Sequence, residues 1–157
     1  MNIGALLRPQ WVRPHLRADS PEAAIDALSA ALEQTGTVAP SFAAAVRERE
    51  KQFPTGLPTP GIKVALPHTD AVHVHQSAVA VATLSAPIPF HVMGSPEETV
   101  AVEVIFLLAI AEPTHQVDAL AQLIGLIQQD DVLAALLAAT DGETICRIVA
   151  EAAAGTP

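Results

Sequence analysis

With 157 residues, 50% of them hydrophobic and 16% charged, the chain has the length of one domain with a sizeable core, and its composition excludes a disordered or fibrous protein. A formal net charge of −9, with eight lysines and arginines along the whole chain, denies it the cationic footprint of a nucleic-acid binder or of a protein held on an anionic membrane surface. No direct membrane insertion is expected. One cysteine, Cys146, excludes an internal disulfide and points to a reducing, cytoplasmic setting.

Met1 to Gln10 lacks the charged start and long apolar centre of a signal peptide. Val12 to Leu16 alternates weakly and predicts a first strand, with Pro14 marking it as an edge and His15 as ordinary surface. Ser20 and Pro21 start a helix that carries Ile25, Leu28 and Leu32 at helical spacing and closes at Gly36. Ser41 caps a second helix, with Phe42, Ala45 and Val46 inward and a solvated charged run from Arg47 to Lys51. The stretch from Phe53 to Gly61, rich in proline and glycine, predicts an ordered loop. Val64 to Leu66 is a short buried strand stopped by Pro67. Ala78 to Leu84 is a strand apolar on both faces and ended by Pro87 and Pro89; Phe90 to Glu98 is loop-like; Val102 to Ile110 is a third apolar strand. The surrounding stretch from Val100 to Ala111 contains Glu103 and falls well short of the ~20 apolar residues that cross a bilayer.

Pro113 and Thr114 open a helix with Val117, Leu120, Leu123, Ile124 and Ile127 on its apolar stripe. Asp130 caps a short helix through Leu136 and Leu137. Asp141 caps a last helix with Ile145, Ile148 and Val149 inward, and the tail from Ala152 is frayed. Tyrosine is absent and tryptophan occurs once, so the core is built from Ala, Val, Leu and Ile. Two-faced apolar strands among amphipathic helices predict an α/β fold: a three-layer sandwich with a central mixed sheet flanked by helices. It forms one domain over residues 1–157, with its core from Val12 to Ala150.

The chemistry concentrates on histidines. His68 follows a buried strand and a proline, so its imidazole is held at the rim of the sheet, half anchored and half wet. His115 follows the end of the strand from Val102 to Ile110 and opens a helix. If these strands are parallel neighbours, both imidazoles face a crevice at the carboxyl edge of the sheet, where open α/β sheets bind ligands; otherwise each is a surface histidine at a strand end. A neutral imidazole is a competent nucleophile near pH 7, and a histidine pair with arginine nearby suits phosphoryl transfer, in which charge develops on the transferred oxygens. Thr69 adds a hydroxyl and an amide beside His68. His73 and His75 share one face of an extended segment and, with His91, form an alternative metal-binding set of the hydrolase type, although no established ligand motif accompanies them. Cys146 lies among apolar neighbours and is read as a packing residue. No glycine pattern of the dinucleotide or P-loop type occurs, and the sequence implies neither cofactor nor metal.

Three segments then carry a resemblance: Arg49-Glu50-Lys51, Phe53-Pro54-Thr55-Gly56-Leu57, and Val64-Ala65-Leu66-Pro67-His68-Thr69-Asp70. In this order and spacing, with Glu112-Pro113-Thr114-His115 ahead of an amphipathic helix, the chain resembles the enzyme IIA domains of the fructose/mannitol class of the bacterial phosphoenolpyruvate–sugar phosphotransferase system, and most of all their galactitol-type branch. The resemblance runs from Val12 to Ala150. It implies a phosphotransferase, a soluble phosphocarrier in which His68 takes phosphate from the histidine of HPr and passes it to the cysteine of an enzyme IIB. It implies that His115 helps position the phosphoryl group and that Arg49, with its neighbour Glu50, stabilises it, to which Thr69 beside His68 adds its own donors. The nitrogen-related branch implies a regulatory module instead. Many members carry glycine where this chain has Lys63, which either adds charge near the phosphate or points into solvent.

Overall fold

The computed structural model describes residues 2–154. Its strands are β1 (Val12–Leu16), β2 (Gly56–Leu57), β3 (Lys63–Ala65), β4 (Ala78–Val92) and β5 (Ser95–Ala109). Its helices are α1 (Pro21–Gln34), α2 (Phe42–Gln52), α3 (Pro113–Ile127), α4 (Asp130–Ala138) and α5 (Gly142–Ala154), with short 3₁₀ turns at Ile3–Leu6, Pro9–Trp11 and Ala71–His73. The long hairpin β4–β5 is the spine of the sheet. β1 runs parallel to β4 on one side and β3 runs parallel to β5 on the other. β2 lies antiparallel to β3, and its Gly56 bridges to Val92 at the far end of β4. The sheet is therefore mixed, as expected, and curls at the hairpin tip until β2 meets it.

Strand alternation sorts the side chains into two cores. Ala78, Ala80 and Ala82 of β4, with Ile105 and Leu107 of β5, face α1 and α2. Val79 and Val81, with Val104, Phe106 and Leu108, face α3, α4 and α5. The three alanines of β4 carry no bulk beyond Cβ, so Ile25, Leu28, Leu32, Phe42 and Val46 of the two helices fill that layer. Ser20 caps α1 by accepting from the Ala23 amide at 3.1 Å, and Asp141 caps α5 by accepting from the Thr144 amide at 2.7 Å.

Several elements depart from expectation. β4 does not stop at Pro87, and residues 90–98 are not a loop: the two long strands turn tightly at Met93 and Gly94, where Gly94 takes φ 79°. The prolines are tolerated because β1 leaves β4 at Leu84, and the register shifts between Thr83 and Ile88, so no flanking strand needs the missing donors. Ser41 has helical backbone angles and makes no capping bond; its hydroxyl pairs with His73 Nδ1 at 2.8 Å. α3 buries Ala119, Leu123, Leu126 and Ile127, and leaves Val117 72% and Ile124 41% exposed. α5 runs on to Ala154, with Ala152 and Ala153 against the core; the rest of the predicted frayed tail lies outside the described residues. His15 is more than surface: it sits at φ 51°, where the register of β1 shifts, and its Nε2 donates to the Leu137 carbonyl at 3.0 Å.

β2 meets the hairpin so closely that a methyl group on Gly56 would lie 2.6 Å from the His91 carbonyl oxygen, a backbone atom. Gly56→Ala is expected to destabilise the fold by about 1–3 kcal/mol, the usual range for overpacking. Equilibrium urea denaturation checks this; an unchanged midpoint would show that β2 is not clamped there.

Candidate active site

β3 lies between β2 and β5, and the chain leaves it through Leu66 and Pro67. The Leu108 amide of β5 donates to the Pro67 carbonyl at 3.0 Å, and His68 forms a parallel bridge with Leu108. The carboxyl ends of β3 and β5 are thus neighbours and parallel, the arrangement on which the crevice depended. The carbonyl of Leu66 accepts a hydrogen bond from His68 Nδ1 at 2.8 Å. A carbonyl only accepts, so Nδ1 carries the proton and Nε2 keeps its lone pair. Burial, first, and then the Arg49 guanidinium hold the His68 pKa below its ordinary value, against the opposing Leu66 hydrogen bond and Asp70 carboxylate. The imidazole is therefore neutral and nucleophilic at neutral pH.

His68, Thr69, Asp70 and Ala71 form one wall of a cavity of about 260 Å³; Arg49 closes it from α2, Ile110 from the end of β5, and Pro113, Gln116 and Leu120 from α3. Arg49 lies 3.9 Å from the Asp70 carboxylate, a loose pair, and 5.2 Å from the centroid of the Phe53 ring. Its Nε is buried without a hydrogen-bond partner among the described residues. A buried, unpaired guanidinium nitrogen beside a nucleophilic imidazole suits an anion.

Other predicted site residues fall differently. His115 is in the first turn of α3, but its side chain is exposed and the cavity wall is Gln116, one residue on. Glu50 faces a second cavity, of about 180 Å³, on the other side of α2, with Glu22, Arg47, Lys51, Phe90 and His91. There its two carboxylate oxygens accept from the Thr55 amide and the Thr55 hydroxyl, each at 2.8 Å, and burial pushes its pKa up to about 7. Lys63 neither reaches the cavity nor points freely into solvent: its ammonium donates to the carbonyls of Thr59 and, at 2.9 Å, Gly61, tying down the proline-rich loop. The metal-binding alternative loses its ligand set. His73 bonds Ser41, His91 lines the Glu50 cavity, and among the described residues no three metal-ligating side chains gather. Cys146 packs partly buried against the helical core, and burial raises its pKa, as a packing role requires.

The family model described as "Phosphoenolpyruvate-dependent sugar phosphotransferase system, EIIA 2" matches residues 5–152. The chain belongs to this family. It is thus a phosphotransferase component of a sugar phosphotransferase system, with the three-layer α/β fold of EIIA domains. It is 29% identical over 102 residues to the galactitol-specific EIIA component of Escherichia coli strain K12, covering 65% of this chain and 67% of that one. It is 30% identical over 154 residues to a nitrogen regulatory protein of Bradyrhizobium diazoefficiens, covering 96% and 95%. Its fold matches a PTS IIA, PtxA, of Streptococcus mutans with TM-score 0.80, 23% identity and coverage of 99% and 97%. It also matches an Escherichia coli complex of enzyme IIAMTL and phosphorylated enzyme IIBMTL, with TM-score 0.76, 18% identity and coverage of 93% and 99%.

Two residues in or behind the cavity wall had weak signals in the sequence. Gln116 follows from helical spacing, because Pro113, Gln116 and Leu120 share one face of α3. Thr55, 3% exposed, stood only as a letter of a motif; its hydroxyl accepts from the Leu66 amide at 3.1 Å.

The folded chain holds the Glu50 proton more tightly than the unfolded chain does, so between pH 4.5 and about 7 the charged form is progressively less favourable to folding, and stability falls as pH rises. Glu50→Gln removes this term. Its stability relative to the parent should therefore rise between pH 4.5 and pH 7.5, by on the order of 3 kcal/mol. Urea denaturation at the two pH values measures the difference; a difference independent of pH would contradict the burial of this carboxylate.

Proposed function

We propose that this EIIA domain is a phosphohistidine carrier in which His68 Nε2 is the acceptor atom. The observation that carries the reading is the Nδ1–H bond to the Leu66 carbonyl, which commits one ring nitrogen and leaves the other to a cavity closed by Arg49. The Nε2 lone pair attacks the phosphorus of a phosphohistidine on HPr as the donor P–N bond breaks. In the second step a cysteine thiolate of an enzyme IIB attacks the same phosphorus, and the P–N bond to His68 breaks. Arg49 and the Thr69 backbone and hydroxyl stabilise the equatorial oxygens, His115, one residue before the cavity-lining Gln116, swings in to steady the phosphoryl group, and Glu50 supports the site through Thr55.

The surroundings favour a protein donor and acceptor. Exposed Phe53, Val72 and Val117 adjoin residues that line the cavity, so an apolar rim surrounds a polar centre. The acidic chain suits a basic carrier. No single helix among the described residues is long and apolar enough to cross a membrane, in keeping with a cytoplasmic relay. The galactitol-specific relative supports a carrier that feeds polyol uptake. A second reading, a phosphorylation-dependent regulator, is favoured by the nitrogen regulatory relative, which aligns over 96% of this chain.

Incubation with phosphoenolpyruvate, enzyme I and HPr, followed by mapping of acid-labile phosphate, tests the proposal. The parent is expected to label on His68 and His68→Ala not at all. Arg49→Ala should label about 100-fold more slowly, and His115→Ala should label but pass phosphate on more slowly. A His68→Ala protein that labels normally would overturn it. Discharge by a cognate enzyme IIB separates transport from regulation.

A further inference from the structure

The amide of Leu66 has passed the end of β2, whose ladder with β3 covers only Val64 and Ala65. A buried amide at that point needs another acceptor. The Thr55 hydroxyl supplies it at 3.1 Å, one residue ahead of β2, and takes the place of the backbone acceptor that the strand no longer offers. Having accepted from Leu66, the hydroxyl must donate elsewhere; it donates to Glu50 Oε1, while the Thr55 amide donates to Oε2. The chain of bonds has one direction: Leu66 N–H to Thr55 O–H to the Glu50 carboxylate. On the other side of the same residue, the Leu66 carbonyl receives the Nδ1–H of His68. Leu66 is thus held at both of its polar groups, one by Thr55 and one by the imidazole.

We propose that Thr55, locked by Glu50, is a positioning residue for His68: it fixes Leu66 so that the Leu66 carbonyl keeps the imidazole in its Nδ1–H tautomer, with Nε2 turned to the acceptor cavity. The proposal rests on the carrier reading for its consequence in phosphate transfer, but not for the tautomer. Thr55 and Glu50 touch neither the cavity nor the reacting atoms, since neither lines the space that His68 and Arg49 share. The neighbours that face Glu50 are Glu22 of α1, Arg47 and Lys51 of α2, and His91 of β4, with Thr55 as its hydrogen-bond partner. Arg47 is itself paired with Asp26. The anchoring acceptor of the chain is therefore Glu50, which has both oxygens engaged by Thr55.

The test reads the tautomer directly. In protein labelled with ¹⁵N-histidine and without phosphate donor, the ring nitrogen shifts of His68 should show the Nδ1–H form dominant. Thr55→Val keeps the shape and removes the hydroxyl; it should raise the ratio of Nε2–H to Nδ1–H about tenfold, the effect of roughly one hydrogen bond, and slow phosphate acceptance from HPr by a similar factor. Thr55→Ser should restore both. Glu50→Gln, which leaves only one good acceptor for Thr55, should fall between them and carries the test if the valine protein does not fold. Parental tautomer ratio and rate in Thr55→Val, or a serine variant as impaired as the valine one, would overturn the proposal. A tautomer shift in a protein that never accepts phosphate would leave the positioning role standing and overturn only the carrier reading.

Discussion

The site depends on one hydrogen bond, from His68 Nδ1 to the carbonyl two residues earlier in the chain. It is local, so it needs only that Leu66 be held still. β3 achieves this with three ladder residues, because those residues lie inside the sheet between β2 and β5. Pro67 has no amide to offer a ladder, and its carbonyl is taken by Leu108, so the backbone is pinned on both sides of the histidine's attachment. The two cores above and below the sheet, the curled hairpin and the clamp at Gly56 all serve to keep this short strand in register.

Electrostatics complete what geometry begins. Two titratable groups sit near β3 in poor solvent, and burial pushes each toward its neutral form, His68 downward and Glu50 upward. For His68 the result is a free lone pair at neutral pH. Its neighbour Arg49 opposes a proton on the imidazole and sets a positive charge beside the free lone pair. The chain has a net charge of −9, yet the cavity beside His68 holds a guanidinium that is partly buried and only loosely paired with Asp70, which suits an anion.

The parts of this arrangement that are local in sequence are legible there. An apolar tripeptide, a proline and a histidine specify a strand that ends on an imidazole, and the helix starts at Pro21 and Asp141 declare themselves through capping chemistry. The parts that depend on tertiary placement are not. Pro87 and Pro89 mark strand ends only if both edges of β4 are covered, and β1 leaves one bare. Residues 95–101 carry no apolar alternation because their half of the hairpin is largely exposed, although its backbone ladder is intact. α3 has apolar side chains on most of its faces, so no stripe selects the one that Leu123 and Ile127 bury; a turn of about 100° per residue then decides that Gln116 lines the cavity and that His115 stands outside it. The bonds linking Glu50, Thr55 and Leu66 join a helix, a loop and a strand end. No spacing rule announces a hydroxyl that stands in for a missing strand residue.

The most direct measurement is the position of phosphate on the imidazole. In phosphorylated, ¹⁵N-histidine-labelled protein, coupling of phosphorus to a ring nitrogen should place the phosphoryl group on Nε2 of His68, with Nδ1 still protonated against the Leu66 carbonyl. Phosphate on Nδ1 of His68, or on His115, would contradict the account, since either would mean that the bond on which the site is built does not select the reacting atom.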